Sequence, residues 1–300
     1  ATLHTGEDIV LKIQKPGVAD VLLTDLNFLY LSARLLELLA PDLSRTSLSA
    51  IVSDIQTTML AECDFLKEAR HMDQFREFLV EEGLNQAYAP RVYHRYTTEK
   101  VIAMERLYGV PLTDLESIKK VSSNPEKTLI TALNTWFASL LGCEFFHADL
   151  HAGNLLVLED GRIGFIDFGI VGRIQKSTWE GLFALMESMN AGHFETMARS
   201  LIKIGATADN VDERALTRDL EILFRGFDRL ARGVQTDSLL DQDINRLLID
   251  LVEVGEKHGI RFPREFALLV KQFLYFDRFA KLLAPDLDMW LDNRIKRLQQ

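Results

Sequence analysis

Short β-rich runs and long apolar-periodic stretches alternate along this chain, and the balance shifts once, towards helix. Ile9-Val10-Leu11-Lys12-Ile13-Gln14 is a β-rich run closed by the turn signal Lys15-Pro16-Gly17. Ahead of it, Leu3 to Asp8 reads as the end of a strand and a turn. Val21 to Ala40 is apolar over a helical length but carries Asp25, Arg34 and Glu37. A membrane span needs ~20 residues with few or no charges, so a buried or amphipathic helix is expected here. A longer helix is expected from Leu48 to Val80. Arg91 to Tyr96 and Lys100 to Glu105 read as a strand pair around Thr97-Thr98-Glu99, and Tyr108-Gly109-Val110-Pro111 as a linker. Leu129 to Cys143 predicts a helix. Leu155 to Leu158 and Ile163 to Ile166 predict a hairpin around Glu159-Asp160-Gly161-Arg162, because Asp-Gly is a strong hairpin-turn signal.

After Gly172 the pattern is almost entirely helical to Gln300, with loops near Gly205 to Thr207, Gly233 to Asp237 and Gly259 to Pro263. No internal repeat interrupts it. The predicted organisation is a small α+β part over residues 1–107 and a larger, mainly helical part over 108–300. A cleft between two such parts suits a ligand.

Composition narrows the function classes. Three hundred residues, 47% of them hydrophobic and 26% charged, are ordinary for a globular protein. The net charge of −10 argues against nucleic acid as a partner, and gives no general attraction to anionic lipid. The two cysteines, Cys63 and Cys143, read as free thiols. The chain starts at Ala1 inside what looks like a strand end, which predicts a fragment of a longer protein.

The candidate chemistry lies at the junction of strand-rich and helical sequence. His147-Ala148-Asp149-Leu150-His151-Ala152-Gly153-Asn154 reads H-x-D-x-x-x-x-N, and Asp167-Phe168-Gly169 follows. This pairing at this spacing is that of a kinase-type phosphoryl-transfer site. Asp149 is the candidate that orients or deprotonates an acceptor. Asn154 and Asp167 are candidate Mg²⁺ ligands, since hard cations prefer oxygen. The pair His147 and His151 suggests a metal cluster, but zinc wants convergent His or Cys ligands, and here hard oxygen ligands accompany them. His147 reads as structural. His151 either faces the transferred phosphate or braces the loop.

Lys12, mid-strand, sits where a kinase lysine reaches the α/β-phosphates. Such a lysine needs a carboxylate partner, and Glu68 is preferred over Glu62 and Asp64. Asp64 and Glu68 share a face in a regular helix, whereas Glu62 points elsewhere, so all three face one site only if the helix is irregular. Ala103 to Leu107 reads as the connector between the parts. Adenine is expected against the backbone of Glu105 and Leu107, with Met104 lining the back of the pocket.

These residues together resemble the UbiB-type, or AarF-like, atypical kinase family. Val10 to Val18 resembles its V-K-x-Q-x-P-G lysine strand, Glu62-Cys63-Asp64 with Glu68-Ala69 its acidic E-x-D helix, and His147 to Asn154 its H-A-D-x-H-x-G-N loop. Asp167 to Gly172 resembles its D-F-G continuation, and Gly259 to Pro263 with Phe266 to Lys271 its helical tail. Leu150 and Ala152 stand where members often carry proline. The resemblance implies an α+β, protein-kinase-like two-lobed fold, with a small N-terminal α+β lobe truncated at its start and a larger helical C-terminal lobe. It implies ATP and Mg²⁺ as cofactors, with Glu62 and Asp64 at the nucleotide site, restraining ordinary protein phosphorylation. It implies kinase or ATPase activity supporting ubiquinone or other isoprenoid-lipid biosynthesis. Isoprenoid or quinone-precursor lipids and biosynthetic enzymes are then partners. The implied location is cytoplasmic, peripheral at an inner membrane, or organellar. The family's nucleotide lid, its lysine-x-glycine-glutamine helix and alanine-rich loop, precedes the first residue here, which predicts weak ATP binding by these residues alone.

Two other readings stay open: a small-molecule kinase of the aminoglycoside or choline type, and a non-catalytic ATP-gated module that binds lipids or enzymes. A conventional protein kinase fits less well, because no A-P-E follows the D-F-G.

Overall fold

In a computed structural model, residues 1–39, 48–112, 114–122, 124–143, 145–151, 153–207, 211–231, 250–287, 292, 294 and 295 are described. Ala40, Ala152 and the expected loop at 233–237 lie outside them. The chain forms two compact units, one of Ala1–Val171 with Phe279–Gln300, the other of Gly172–Arg278.

The first unit begins with strand β1, Ile9–Ile13, whose β-branched run pairs antiparallel with β3, Val101–Glu105, so that Lys12 stands opposite Ile102. After the Pro16-Gly17 turn, α1 (Val18–Leu39) packs on α2 (Leu48–Ala61). Helix α1 buries Leu26 and Ala33, while Phe28, Leu31, Leu35 and Leu38 stay exposed. No helix among the described residues is long and apolar enough to cross a membrane.

The stretch read as one helix from Leu48 to Val80 is two. Helix α3 spans Phe65–Glu81, and the break falls at Glu62-Cys63-Asp64. Asp64 leaves helical geometry at φ −91°, ψ 87°, and its carboxylate accepts the Lys67 N–H. A short acceptor at this place satisfies one of the amides a helix start leaves open, and stops the preceding helix. Gln14 ties the break to the end of β1 by donating to the Cys63 carbonyl at 2.9 Å.

The expected strand pair around Thr97 is also different. Residues His94–Tyr96 make a 3₁₀ turn, and the pairing with β3 is reduced to isolated bridges, Val92 with Met104 and Thr98 with Val101. The Thr97 hydroxyl takes the Ala103 N–H at 3.1 Å, so a local side chain replaces a ladder bond. The expected linker at Tyr108 to Pro111 contains a strand. A four-stranded sheet has the order β2-β7-β6-β4, with β2 at Ala87–Tyr88, β4 at Gly109–Pro111, β6 at Leu155–Leu158 and β7 at Ile163–Phe165. Gly109 permits β4 to approach, since a Cβ there would lie 2.6 Å from the Val157 carbonyl oxygen. Strands β6 and β7 form the expected antiparallel hairpin, with Gly161 at φ +82° in its turn.

Helix α4 is Leu115–Val121, and α5, Pro125–Gly142, starts one turn before the expected Leu129, at an Asn124 cap followed by proline. Strand β5, Phe146–His147, pairs with β8, Val171–Gly172, where the chain leaves this unit. Between α3, α5 and the sheet lies an aromatic core. Phe75 contacts Phe165 at 5.3 Å and Phe168 at 5.0 Å between ring centroids, and Trp136, Phe145 and Phe146 are fully buried.

The second unit is helical: α6 (Lys176–Ala191), α7 (Phe194–Ile204), α8 (Glu213–Ala231), a helical stretch at 250–257, and most of the helix Arg264–Leu283. Two short strands, β9 (Ala206–Thr207) and β10 (Ile260–Arg261), pair antiparallel. They occupy two of the three places read as loops. Neither cysteine forms a disulfide.

Candidate active site

The site is built within the first unit. Helix α3 buries Phe65, Glu68, Ala69, Met72 and Phe75, the 3–4 spacing of one helical face, so Glu68 is carried inward on an apolar stripe. Its side chain meets Lys12 from β1. Lys12 Nζ donates to Glu68 Oε1 at 2.8 Å and Oε2 at 3.0 Å, and to Asp167 Oδ1 at 2.9 Å. The Phe65 ring lies 5.4 Å from the same ammonium. Burial would lower the Lys12 pKa, but the Glu68 and Asp167 carboxylates outweigh it and hold it above the usual lysine value. Burial pushes the Glu68 carboxyl up to about 7, against the pull of Lys12. Partial burial acts upward on Asp167 as well, yet Lys12 beside it keeps its carboxyl below the ordinary aspartate value.

Asp167 adopts φ +63°, a left-handed conformation uncommon for a residue with a side chain, though aspartate tolerates it better than most. The loop Phe146 to Asn154 braces it. His147, fully buried, donates from Nε2 to the Ile166 carbonyl at 3.0 Å and accepts the Asp149 N–H on Nδ1 at 3.2 Å. These partners define one neutral tautomer, and burial lowers the pKa accordingly. Trp136 from α5 holds the His147 carbonyl by its indole N–H at 3.0 Å. Asn154 donates from Nδ2 to the Asp149 carbonyl at 2.8 Å, while its own carbonyl accepts the Ile166 N–H at 3.0 Å. The loop and the segment preceding Asp167 are thus tied together by one backbone bond and by the His147 ring. His151 accepts the Gly153 N–H on Nδ1 at 3.0 Å, which leaves the hydrogen on Nε2, 3.7 Å from Asp149 Oδ2.

Of the residues singled out in the sequence, Lys12, Glu68 and Asp167 form one ion-paired cluster, and Asp149 and Asn154 one hydrogen-bonded loop tied to it. Glu62 and Asp64 are exposed in the break before α3, and the Asp64 carboxylate is engaged in capping. Met104 and Glu105 end β3 and Leu107 follows, all half-buried. The Glu105 N–H is committed to the Arg91 carbonyl at 2.9 Å, and its carboxylate accepts the Tyr88 hydroxyl and the Arg91 N–H. His71 was not singled out. The signal for it was its place on the buried side of α3, three residues after Glu68.

Asp167 and Asn154 would offer a carboxylate and an amide oxygen, hard donors of the kind Mg²⁺ takes, and no group of three or more His, Cys, Asp or Glu side chains among the described residues could hold a metal. Mg²⁺ is typically bound by one or two carboxylates together with substrate phosphates and waters.

The ABC1 atypical kinase-like domain matches residues 1–201, and the UbiB helical domain residues 230–288. An aarF domain-containing protein kinase of Arabidopsis thaliana, named as chloroplastic, is 51% identical over 306 residues, covering 96% of this chain and 57% of that protein. A probable protein kinase UbiB of Azotobacter vinelandii is 30% identical over 298 residues, covering 97% of this chain and 53% of that protein. The chain therefore spans a little over half the length of these relatives. The solved complex of Rv3197 with erythromycin, from Mycobacterium tuberculosis, shares the fold with a TM-score of 0.59 at 18% identity, covering 95% of this chain and 73% of that one. The chain has the α+β, protein-kinase-like fold and belongs to the ABC1 atypical kinase-like family, with a UbiB helical domain following.

Proposed function

We propose that this site binds Mg·ATP and promotes transfer or hydrolysis of the γ-phosphoryl group, in support of ubiquinone or other isoprenoid-lipid biosynthesis. The observation that carries the reading is the strand lysine held by a helix glutamate 56 residues away and by the D-F-G aspartate. In this reading residues 1–107 form the small lobe and 108–300 the large one. Glu68 fixes Lys12 so that its ammonium meets the α/β-phosphates. Asp167 and Asn154 Oδ1 hold Mg²⁺, which when bound neutralises charge on the phosphates. Asp149, whose backbone Asn154 fixes, accepts the hydrogen of an acceptor hydroxyl or of water. Glu105 and Leu107 meet adenine through the Glu105 carbonyl and the Leu107 amide, beside Met104. Glu62 and Asp64 border the nucleotide from the α2–α3 break. Such sites work by positioning and charge neutralisation rather than covalent chemistry. The UbiB name of one relative and the chloroplastic name of another support a lipid-biosynthetic role with lipid or enzyme partners and an organellar or peripheral location in this reading. The test is Mg²⁺-dependent ATP turnover by the full-length protein, with and without membranes and quinone-precursor mimics. Rapid stoichiometric phosphorylation of small hydroxylated acceptors would instead favour a small-molecule kinase.

A further inference from the structure

Asp167 is held from both sides by histidines, and only one of them belongs to the catalytic loop. His147 secures the Ile166 carbonyl before it. His71, three residues after Glu68 on α3, lies with Nδ1 3.3 Å from the Phe168 carbonyl after it. A carbonyl oxygen only accepts, so His71 Nδ1 carries the hydrogen. The ring is 5% exposed and packs on Phe145 at 4.8 Å, which fixes its plane.

The Phe168 carbonyl belongs to the same peptide group as the Gly169 N–H, and that N–H points to Asp167 Oδ1 at 3.4 Å. One planar unit therefore carries two hydrogen bonds at opposite ends, from His71 Nδ1–H to the carbonyl and from the amide to the Asp167 carboxylate. Gly169 leaves room for little else, since a Cβ there would lie 3.3 Å from Asp167 Oδ1 and 3.7 Å from Glu68 Oε2. Hydrogen bonds linked through one peptide polarise each other, so the donor on the carbonyl strengthens the amide's hold on the carboxylate. Asp167 holds a left-handed backbone that residues with a side chain uncommonly adopt, so the bonds on either side of it help to fix its orientation.

We propose that His71 is a positioning residue for Asp167, acting through the Phe168–Gly169 peptide. Helix α3 then sets the candidate metal ligand twice, once through Glu68 and Lys12 and once through His71. The inference rests on the reading of Asp167 as the Mg²⁺ ligand, but its structural half is testable alone.

Three variants of the full-length protein separate donor from ring. His71→Phe keeps the aromatic contact and removes the donor. His71→Asn places an amide N–H where Nδ1 stands. His71→Gln carries the same amide to the Nε2 position, beyond the Phe168 carbonyl. Hydrogen–deuterium exchange of the segment 166–171 is the first readout and needs no nucleotide. Roughly tenfold faster exchange in His71→Phe and His71→Gln is expected, with His71→Asn close to wild type. The second readout is the gain in ATP affinity on adding Mg²⁺, expected to fall roughly tenfold in the same two variants and to be retained in His71→Asn. Equal exchange in the Asn and Gln variants overturns the proposal even if the Phe variant fails to fold. Absence of any Mg²⁺-dependent gain in the wild type would overturn the assignment of Asp167 instead, and the exchange comparison would still decide on His71.

Discussion

Lys12 Nζ lies 2.9 Å from Asp167 Oδ1 while it also donates to both oxygens of Glu68, so one ammonium joins a strand, a helix and the D-F-G turn. The carboxylate proposed to hold Mg²⁺ is therefore already paired with a cation. Metal binding at Asp167 has to be reconciled with that pair, by a shift of Lys12 towards phosphate and Glu68 or by sharing the carboxylate's second oxygen.

Replacing Lys12 by methionine leaves Glu68 and Asp167 facing each other without a counter-charge. Removing one partner of a fully buried pair costs ~3–5 kcal/mol, but the Lys12 and Asp167 side chains are 30% and 45% exposed, and solvent screening brings the expected loss nearer ~1–2 kcal/mol. Mg²⁺ should restore part of it, raising the Tm of Lys12→Met more than that of the wild type. Thermal unfolding with and without Mg²⁺ checks this.

Glu68 contributes a pH dependence of stability with a definite sign. Its folded pKa of about 7 lies above the ordinary 4.5, so the folded state holds a proton that the unfolded state has lost. That contribution is fully present below pH 4.5 and is lost as pH rises through about 7. Its size is at most ~3 kcal/mol. His147, with a lowered pKa, acts oppositely and loses stability as pH falls below 6.5. Asp167, also lowered, contributes above pH 3.8, outside this window. The comparison that isolates Glu68 is wild type against Glu68→Gln in chemical denaturation from pH 4.5 to 7.5. The wild type should lose stability relative to the variant as pH rises.

Asp64→Ala removes the acceptor for the Lys67 N–H at the start of α3. The expected cost is ~1 kcal/mol in denaturant unfolding, as for other helix caps. Asp64→Asn, which keeps an acceptor oxygen, should recover most of it. If both variants are equally destabilised, the carboxylate matters for its charge near the nucleotide site rather than as a cap.

The sequence was legible where chemistry fixes residue type and spacing. The loop from His147 to Asn154, the hairpin around Asp160-Gly161 and the Lys12–Glu68 contact could all be read from residue order. It was less legible where a single side chain redirects the backbone. The Asp64 carboxylate splits an otherwise continuous helical pattern, and the Thr97 hydroxyl replaces a ladder bond. Gly109 looked like linker because glycine and proline flank Val110, yet the missing Cβ is what lets β4 join the sheet. His71 was invisible for another reason: its partner is a backbone carbonyl 97 residues away, which no local pattern encodes. The apolar length of α1 suggested inward packing, but only Leu26 and Ala33 of it are buried.

The central claim is that Asp167 is a ligand of nucleotide-bound Mg²⁺. ATP affinity of the full-length protein, measured with and without Mg²⁺ in wild type and Asp167→Asn, tests it most directly. A Mg²⁺-dependent gain is expected in the wild type that falls by roughly tenfold or more in Asp167→Asn, while affinity without Mg²⁺ changes little. An equal Mg²⁺-dependent gain in both proteins would contradict it.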